Sequence, residues 1–360
     1  IMQQIQEELS HVWKGWTIEE LIGEGSFGKV YRIVREEFGH TYEAALKVIT
    51  IPQNQSEVKS VLNEGMDEDS VTAYFHGIVE EIVEEFVLMS KLKGNSTIVS
   101  YEDHAVVPHK EQIGWNIYIR MELLTPLFDY IRGKELSVRE VIQMGIDMCK
   151  ALEICQKFNI IHRDIKPENM FVSQLGTFKL GDFGIARQME KTSSGLSKKG
   201  TYSYMAPEVY KGERYNSTVD IYSLGTVLYR FLNNNRTPFL PPYPETIRYA
   251  DKERANIMRM SGSVMPPPCN AKGRLAEIVL KACAYNPKER YESAADMRKA
   301  LEFVLYEEKE QILAYPEGDI LITDTPDYID SSAPTSKQTE EGTGFLFTTN
   351  IKEEKEDEKN

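Results

Sequence analysis

Asp164, Lys166 and Asn169 stand within six positions of one another in Ile161-His162-Arg163-Asp164-Ile165-Lys166-Pro167-Glu168-Asn169. Pro167 blocks a helix interior, so these residues belong to a loop. A carboxylate there can take the proton of a substrate hydroxyl. An ammonium can stabilise a phosphoryl group in transit, and an amide oxygen can ligate Mg²⁺. Thirteen residues beyond Asn169, the run Leu180-Gly181-Asp182-Phe183-Gly184 offers a second hard oxygen, which with the first suits a metal bridging phosphates. Two more candidates lie far upstream. Gly23-Glu24-Gly25-Ser26-Phe27-Gly28 is a GxGxxG loop whose backbone N–H groups can approach phosphate oxygens, because glycine carries no β-carbon. Lys47, in Ala44-Ala45-Leu46-Lys47, is a lysine in apolar company, costly without an anion beside it. Each feature alone has an ordinary explanation: a polar surface turn, a glycine-rich hairpin, a lysine reaching to solvent from a strand edge. Their co-occurrence is what carries weight.

These residues need elements to hold them. Residues 17–22 and 30–34 read as strands, so the glycine loop is strand–loop–strand. In dinucleotide-binding folds the third glycine instead leads into a helix. Residues 42–49 form a further strand-like run. From Ile78 the apolar residues recur at helical spacing through Met89, with glutamates between them. Glu85 is the chosen partner for Lys47 because apolar side chains surround it in helical register, with Glu81 and Glu84 as alternatives. Residues 117–119 return to strand. Helical patterns then dominate over 138–157, 218–232, 275–284 and 293–305. Strand-rich first and helix-rich second implies two lobes with a cleft between them.

The 360 residues carry a net charge of −14, with 41% apolar side chains, enough for a large core. An acidic chain is a poor match for nucleic acid or anionic lipid surfaces. No apolar run approaches a membrane span, and the four cysteines show neither a CxxC pair nor metal-ligand spacing. A reducing, cytoplasmic setting is expected. From Gln311 onward twelve acids face four lysines in a stretch rich in Thr, Ser and Pro, which reads as a disordered tail.

Taken together, the motifs resemble the eukaryotic-type protein kinase superfamily, from about residue 13 to 307. The resemblance implies an α+β, bilobal protein kinase fold. Its small, mainly antiparallel N-lobe (about 13–123) would carry one key helix, and its larger C-lobe (about 124–307) would be mainly helical, with residues 1–12 an extension and 308–360 the tail. It further implies that Gly23, Gly25 and Gly28, with Ser26 and Phe27 between them, cover the phosphates of ATP. Lys47 would contact the α- and β-phosphates and pair with the helix glutamate. Asp164 would be the catalytic base, with Lys166 beside it, and Asn169 and Asp182 would hold Mg²⁺, or Mn²⁺ in its place. Ile22, Val30 and Ala45 would roof the adenine and Phe171 would form its floor. Met121 would stand behind, and the backbone from Glu122 to Leu124 would hydrogen-bond the ring. Met205-Ala206-Pro207-Glu208 resembles the segment closing the activation loop, with Arg290 as the partner of Glu208, and Asp220 resembles the aspartate that braces the catalytic loop.

Lys166 and the Gly200-Thr201-Tyr202 segment resemble the serine/threonine branch, in which Thr201 would meet the catalytic aspartate and lysine. The implied partners are ATP and proteins with Ser/Thr acceptors. Thr192, Ser193, Ser194 and Ser197 are candidate sites of activating autophosphorylation, with Arg163 placed to pair with a phosphate. The style of the chain is similar to bacterial members. One departure stands out: a longer, acidic stretch, residues 52–70, separates Lys47 from Glu85, either as a cover over the pairing helix or as a loose insertion. The competing expectations are a nucleotide-binding scaffold without turnover and a kinase-fold enzyme acting on a small molecule.

Overall fold

The computed structural model describes residues 2–25, 28–134, 136–183 and 201–307. Ser26, Phe27, Thr192, Ser193, Ser194, Ser197 and the tail from 308 lie outside the described residues, as does the side chain of Thr201.

A five-stranded antiparallel sheet of order β1-β2-β3-β5-β4 builds the first half. Its strands are β1 (Thr17–Gly25), β2 (Gly28–Glu37), β3 (His40–Ile51), β4 (Tyr101–Pro108) and β5 (Trp115–Met121). The apolar run of β3 is continuous rather than alternating because both faces of the strand are covered. On one face Ile49 joins Ile117 and Ile119 of β5 against the long helix α3 (Glu68–Ser90). On the other, Ala44, Leu46 and Val48 join Tyr31, Ile33 and Tyr118 in a separate cluster. That second face is closed by α1 (Met2–Val12), which buries Ile5 and Leu9 there. Residues 1–12, expected as an extension, thus contribute residues 2–12 to the same packed unit as the sheet.

Within residues 52–70 the structure forms α2 (Gln55–Asn63), capped by the Asn54 side chain and packed beside α3 through Val58. The acidic stretch is therefore an ordered cover. Asp67 then caps α3 by accepting from the Ser70 N–H at 2.8 Å, so the helix begins ten residues before its apolar periodicity becomes clear.

The second half is helical, with a small three-stranded sheet at its top. That sheet runs β6 (Thr125–Pro126), β7 (Met170–Val172) and β8 (Phe178–Leu180), joined as β6-β7-β8. The helices are α4 (Leu127–Ile131), α5 (Val138–Lys157), α6 (Pro207–Tyr210), α7 (Thr218–Phe231), α8 (Tyr249–Met260), α9 (Gly273–Ala282) and α10 (Ala294–Glu307). Helix α5 starts with a reciprocal cap: Ser137 accepts from the Glu140 N–H, and Glu140 accepts from the Ser137 N–H. Helices α5 and α7 bring Ile142, Leu152, Ile221 and Leu228 into one core continuous with the α3 side of the sheet. The halves are also stitched by backbone: the Val99 N–H donates to Leu180 O, and the Leu180 N–H to Thr97 O, both at 2.9 Å. No helix among the described residues is long and apolar enough to cross a membrane.

Candidate active site

Pro167 opens a single 3₁₀ turn after α5, Pro167–Asn169, which converts the run around Asp164 into a compact loop. Within it the Asn169 amide donates to the Asp164 carbonyl at 2.8 Å and to its carboxylate at 2.9 Å. The Lys166 ammonium lies 2.9 Å from the same carboxylate oxygen. Burial works against the charge on Lys166, but Asp164 outweighs it and holds the lysine above its ordinary value. Asp164, Lys166 and Asn169 are thus one interlocked group.

The loop owes its shape to Asp220, a buried residue of α7. Its two carboxylate oxygens accept from the His162 N–H at 2.8 Å and the Arg163 N–H at 2.7 Å. Arg163 sits at φ 68°, a left-handed conformation costly for a residue with a side chain, and these two bonds hold it there. Burial raises the Asp220 pKa, a rise only partly countered by His162 and the backbone donors. His162, itself buried, ties this loop to the next. Its Nε2 lies 3.0 Å from the Gly181 carbonyl, which can only accept, so Nε2 carries the proton and Nδ1 accepts from the Asp164 N–H.

Asp182 follows at φ 52°. Its neighbour Gly181 packs tightly: a β-carbon there would come 2.9 Å from the Phe171 ring and 2.8 Å from Val99. The Lys47 ammonium, on β3 and 8% exposed, meets the Asp182 carboxylate at 2.5 Å across 135 residues of chain. Burial pushes the Asp182 carboxyl up, but the Lys47 ammonium and the more distant Lys166 bring it below its ordinary value. The structure thus brings Lys47 to Asp182. A buried ammonium must take a carboxylate, and Asp182 is the one it reaches. Of the three glutamates, Glu81 and Glu84 face solvent while Glu85 turns inward near Tyr101, whose hydroxyl pKa is raised by burial first, then by the Asp182 charge, with Glu85 adding to it.

The glycine loop is a hairpin in which Gly25 pairs with Gly28 and Gly23 with Val30. Gly28 rests directly on β3; a β-carbon there would lie 2.2 Å from the Val48 carbonyl, so only glycine lets the hairpin sit this low. Ala45 pairs across the sheet with Met121, two residues before Lys47. Val30 pairs with Lys47, and Ile22 precedes Gly23 at the sheet's outer strand. On the other side β6 pairs with β7, setting Phe171 beside the linker that contains Leu124.

Several side-chain contacts of this region went unseen in the sequence. Tyr101 accepts from the Asp182 N–H at 3.3 Å. The side chain of Glu122, in the linker between the halves, accepts from Lys179 of β8 at 2.6 and 2.9 Å and from the Ser100 N–H at 2.6 Å. Arg259, buried on α8, donates to the carbonyls of Met205 at 2.6 Å and of Tyr202, supporting the segment after Thr201. One of two arginines in a mostly polar helix, Arg259 carries no sequence signal of such a role. Below this segment Glu208 and Arg290 form a buried, two-pronged ion pair at 2.6 and 2.8 Å.

The comparisons with known proteins agree with this architecture. The model of the protein kinase domain family matches residues 16–302, and the chain belongs to that family. Serine/threonine-protein kinase PknB of Mycolicibacterium smegmatis is 36% identical over 172 residues, covering 46% of this chain and 26% of that protein. PknB of Mycobacterium tuberculosis strain H37Rv is 34% identical over 173 residues, with the same coverage. A probable serine/threonine-protein kinase of Clostridium perfringens is 34% identical over 193 residues, 51% of this chain and 27% of that one. The chain thus spans about a quarter of the length of the curated relatives it matches.

Proposed function

We propose that this chain is a serine/threonine protein kinase that transfers the γ-phosphoryl group of Mg-ATP to hydroxyls of protein substrates, with autophosphorylation between Asp182 and Glu208. The reading rests above all on one observation: the interlocked Asp164–Lys166–Asn169 group lies one loop from an aspartate bonded to a distant, buried lysine.

In this reading Asp164 accepts the proton of the incoming hydroxyl, and Lys166 offsets charge on the phosphoryl group being passed. Lys47 binds the α- and β-phosphates, and the glycine loop of Gly23, Gly25 and Gly28, with Ser26 and Phe27 between the last two glycines in sequence, closes over them. Ile22, Val30, Ala45, Met121 and Phe171 enclose the adenine, read by the backbone from Glu122 to Leu124. Thr201 meets the acceptor end of the site. Asn169 and Asp182 supply the protein's oxygens for Mg²⁺. No cluster of three or more His, Cys, Asp or Glu exists among the described residues, and an amide plus one carboxylate fits an ion that keeps several waters and takes the rest from phosphates. Bound there, the ion would neutralise triphosphate charge.

The test is transfer of labelled phosphate from Mg-ATP to a generic basic protein, beside Asp164→Ala and Lys47→Ala. Losing a general base should slow transfer roughly 10²–10⁴-fold. Equal labelling by wild type and Asp164→Ala would overturn the reading, and labelling of a small alcohol in preference to protein would redirect it. Intact mass after incubation with Mg-ATP checks the autophosphorylation.

A further inference from the structure

The family match begins at residue 16, yet helix α1 (Met2–Val12) is docked on the sheet by more than apolar contact. The Glu8 carboxylate accepts from the Tyr118 hydroxyl at 2.5 Å and from the Asn116 amide at 3.0 Å, both on β5. Gln6 accepts from the Ile18 N–H at 2.7 Å and donates to the Trp16 carbonyl at 3.1 Å, fixing the entry to β1. Trp13, one residue past the helix, donates its indole N–H to Asp103 of β4 at 2.8 Å. Polar contacts from this short segment thus reach β1, β4 and β5, and Asn116 passes the link to β3 by accepting from Thr50 at 2.9 Å.

The grip lies directly behind the phosphate end of the cleft. Tyr118 pairs across the sheet with Val48, and its neighbour Ile119 pairs with Lys47. Val48 is also the residue on whose carbonyl Gly28 rests. Tyr118 and Asn116 are buried, so without Glu8 two buried donors lose their acceptor. We infer that Glu8 is a positioning residue for nucleotide binding: it clasps β5 from the face turned away from the cleft and thereby seats the part of β3 that carries Lys47 and supports the glycine hairpin. The inference rests on the proposed kinase reading, and it assigns α1 a part in substrate affinity as well as in packing.

The experiment compares the full chain with Glu8→Ala, Glu8→Gln and Tyr118→Phe, following KM for ATP, kcat on a fixed protein acceptor, and amide hydrogen exchange over residues 46–49 and 116–119. Glu8→Ala should raise KM for ATP about three- to tenfold, the scale of lost hydrogen bonding, with kcat within about twofold. Glu8→Gln keeps an oxygen that accepts both donors and should stay within about twofold of wild type. Tyr118→Phe keeps the buried ring and should shift KM in the same direction by about two- to threefold, and it still reads the effect if Glu8→Ala does not fold. Exchange over 46–49 should quicken in Glu8→Ala or, failing that, in Tyr118→Phe. Unchanged KM in a folded Glu8→Ala overturns the inference, as does a Gln variant as impaired as Ala, or a loss in kcat alone. A wild type that cannot turn over ATP sinks the kinase reading instead, and the exchange measurement then decides the clasp by itself: unaltered protection over 46–49 refutes it.

Discussion

The Asp220 and Glu208 carboxylates in one half of the molecule and the Lys47 ammonium in the other are held by opposite means. In the helical half, Asp220 and the Glu208–Arg290 pair are buried and saturated. Arg290 also donates to the carbonyls of Ala284 at 2.8 Å and of Thr218 and Tyr285 at 3.2 Å. In the sheet half, Lys47 reaches across the cleft to the Asp182 carboxylate, whose side chain is 36% exposed. A saturated, buried network has nowhere else to go and so specifies one loop geometry. A lone ammonium facing a solvent-reachable carboxylate can exchange that partner for another anion at little cost. The rigid half is therefore suited to hold the reacting groups, and the other half to admit and release a charged substrate.

That contrast breaks most directly by deleting one cation from each half. Arg290→Met strands the Glu208 carboxylate in a site where it is 5% exposed, and should cost about 3–5 kcal/mol in urea unfolding. Lys47→Met leaves Asp182 within reach of water and should cost less than about 1 kcal/mol while abolishing phosphate transfer. Equal destabilisation by the two would erase the distinction. Next in size is Asp220→Ala, which leaves the His162 and Arg163 N–H groups without their acceptor and releases Arg163 from positive φ. A loss of about 2–3 kcal/mol is expected, with transfer falling as well because Asp164 is one residue away. Retained activity in that variant would mean the loop keeps its shape without its brace.

How far the sequence reveals this molecule follows the same division. The loop from His162 to Asn169, the Gly181–Phe183 segment and helices α5, α7, α9 and α10 are legible because their residues act over short spans: Pro167 dictates a turn, and apolar residues repeat at helical spacing. Helix α3 is visible only from Ile78, since its first ten residues place only Val71 and Phe75 on the buried face and are fixed by the Asp67 cap. Helix α8 buries little besides Ala255, Arg259 and Met260, which leaves no stripe to find. Helices α1 and α2 escape for another reason. Their partners lie on other elements, Tyr118 of β5 for Glu8 and the face of α3 for Val58, and no local pattern announces them. Even the mainly apolar run of β3, buried without alternation from Ala44 to Ile49, signals burial on both faces without saying what provides the cover. The pairing of Lys47 with Asp182 has the same character: the sequence shows that the lysine needs an anion, and only the folded chain shows which one it takes.

Glu122 and Lys179 stand between the two regimes, part-buried and spanning the halves. Lys179→Met should cost about 1 kcal/mol in thermal unfolding, because Glu122 keeps its bond from the Ser100 N–H. The double variant with Glu122→Gln should cost less than the sum of the singles. Strict additivity in that cycle would show that the pair does not couple the linker to β8.

The smallest effect separates two aspartates by pH. Asp182 lies below its ordinary 3.8 because Lys47 outweighs burial, so its share of stability is complete above pH 3.8 and is lost as the pH falls through its folded value. Asp220 lies above 3.8 because burial outweighs its donors, so its share is complete below 3.8 and is lost as the pH rises through its folded value. Stability measured by urea titration across this range should therefore respond in opposite senses to removal of each charge. Asp182→Asn flattens the fall below pH 3.8, and Asp220→Asn removes a loss on the rising side. The same sign in both variants would mean that Lys47 does not govern Asp182, and the view of the Lys47–Asp182 pair as an exchangeable contact would have to be given up.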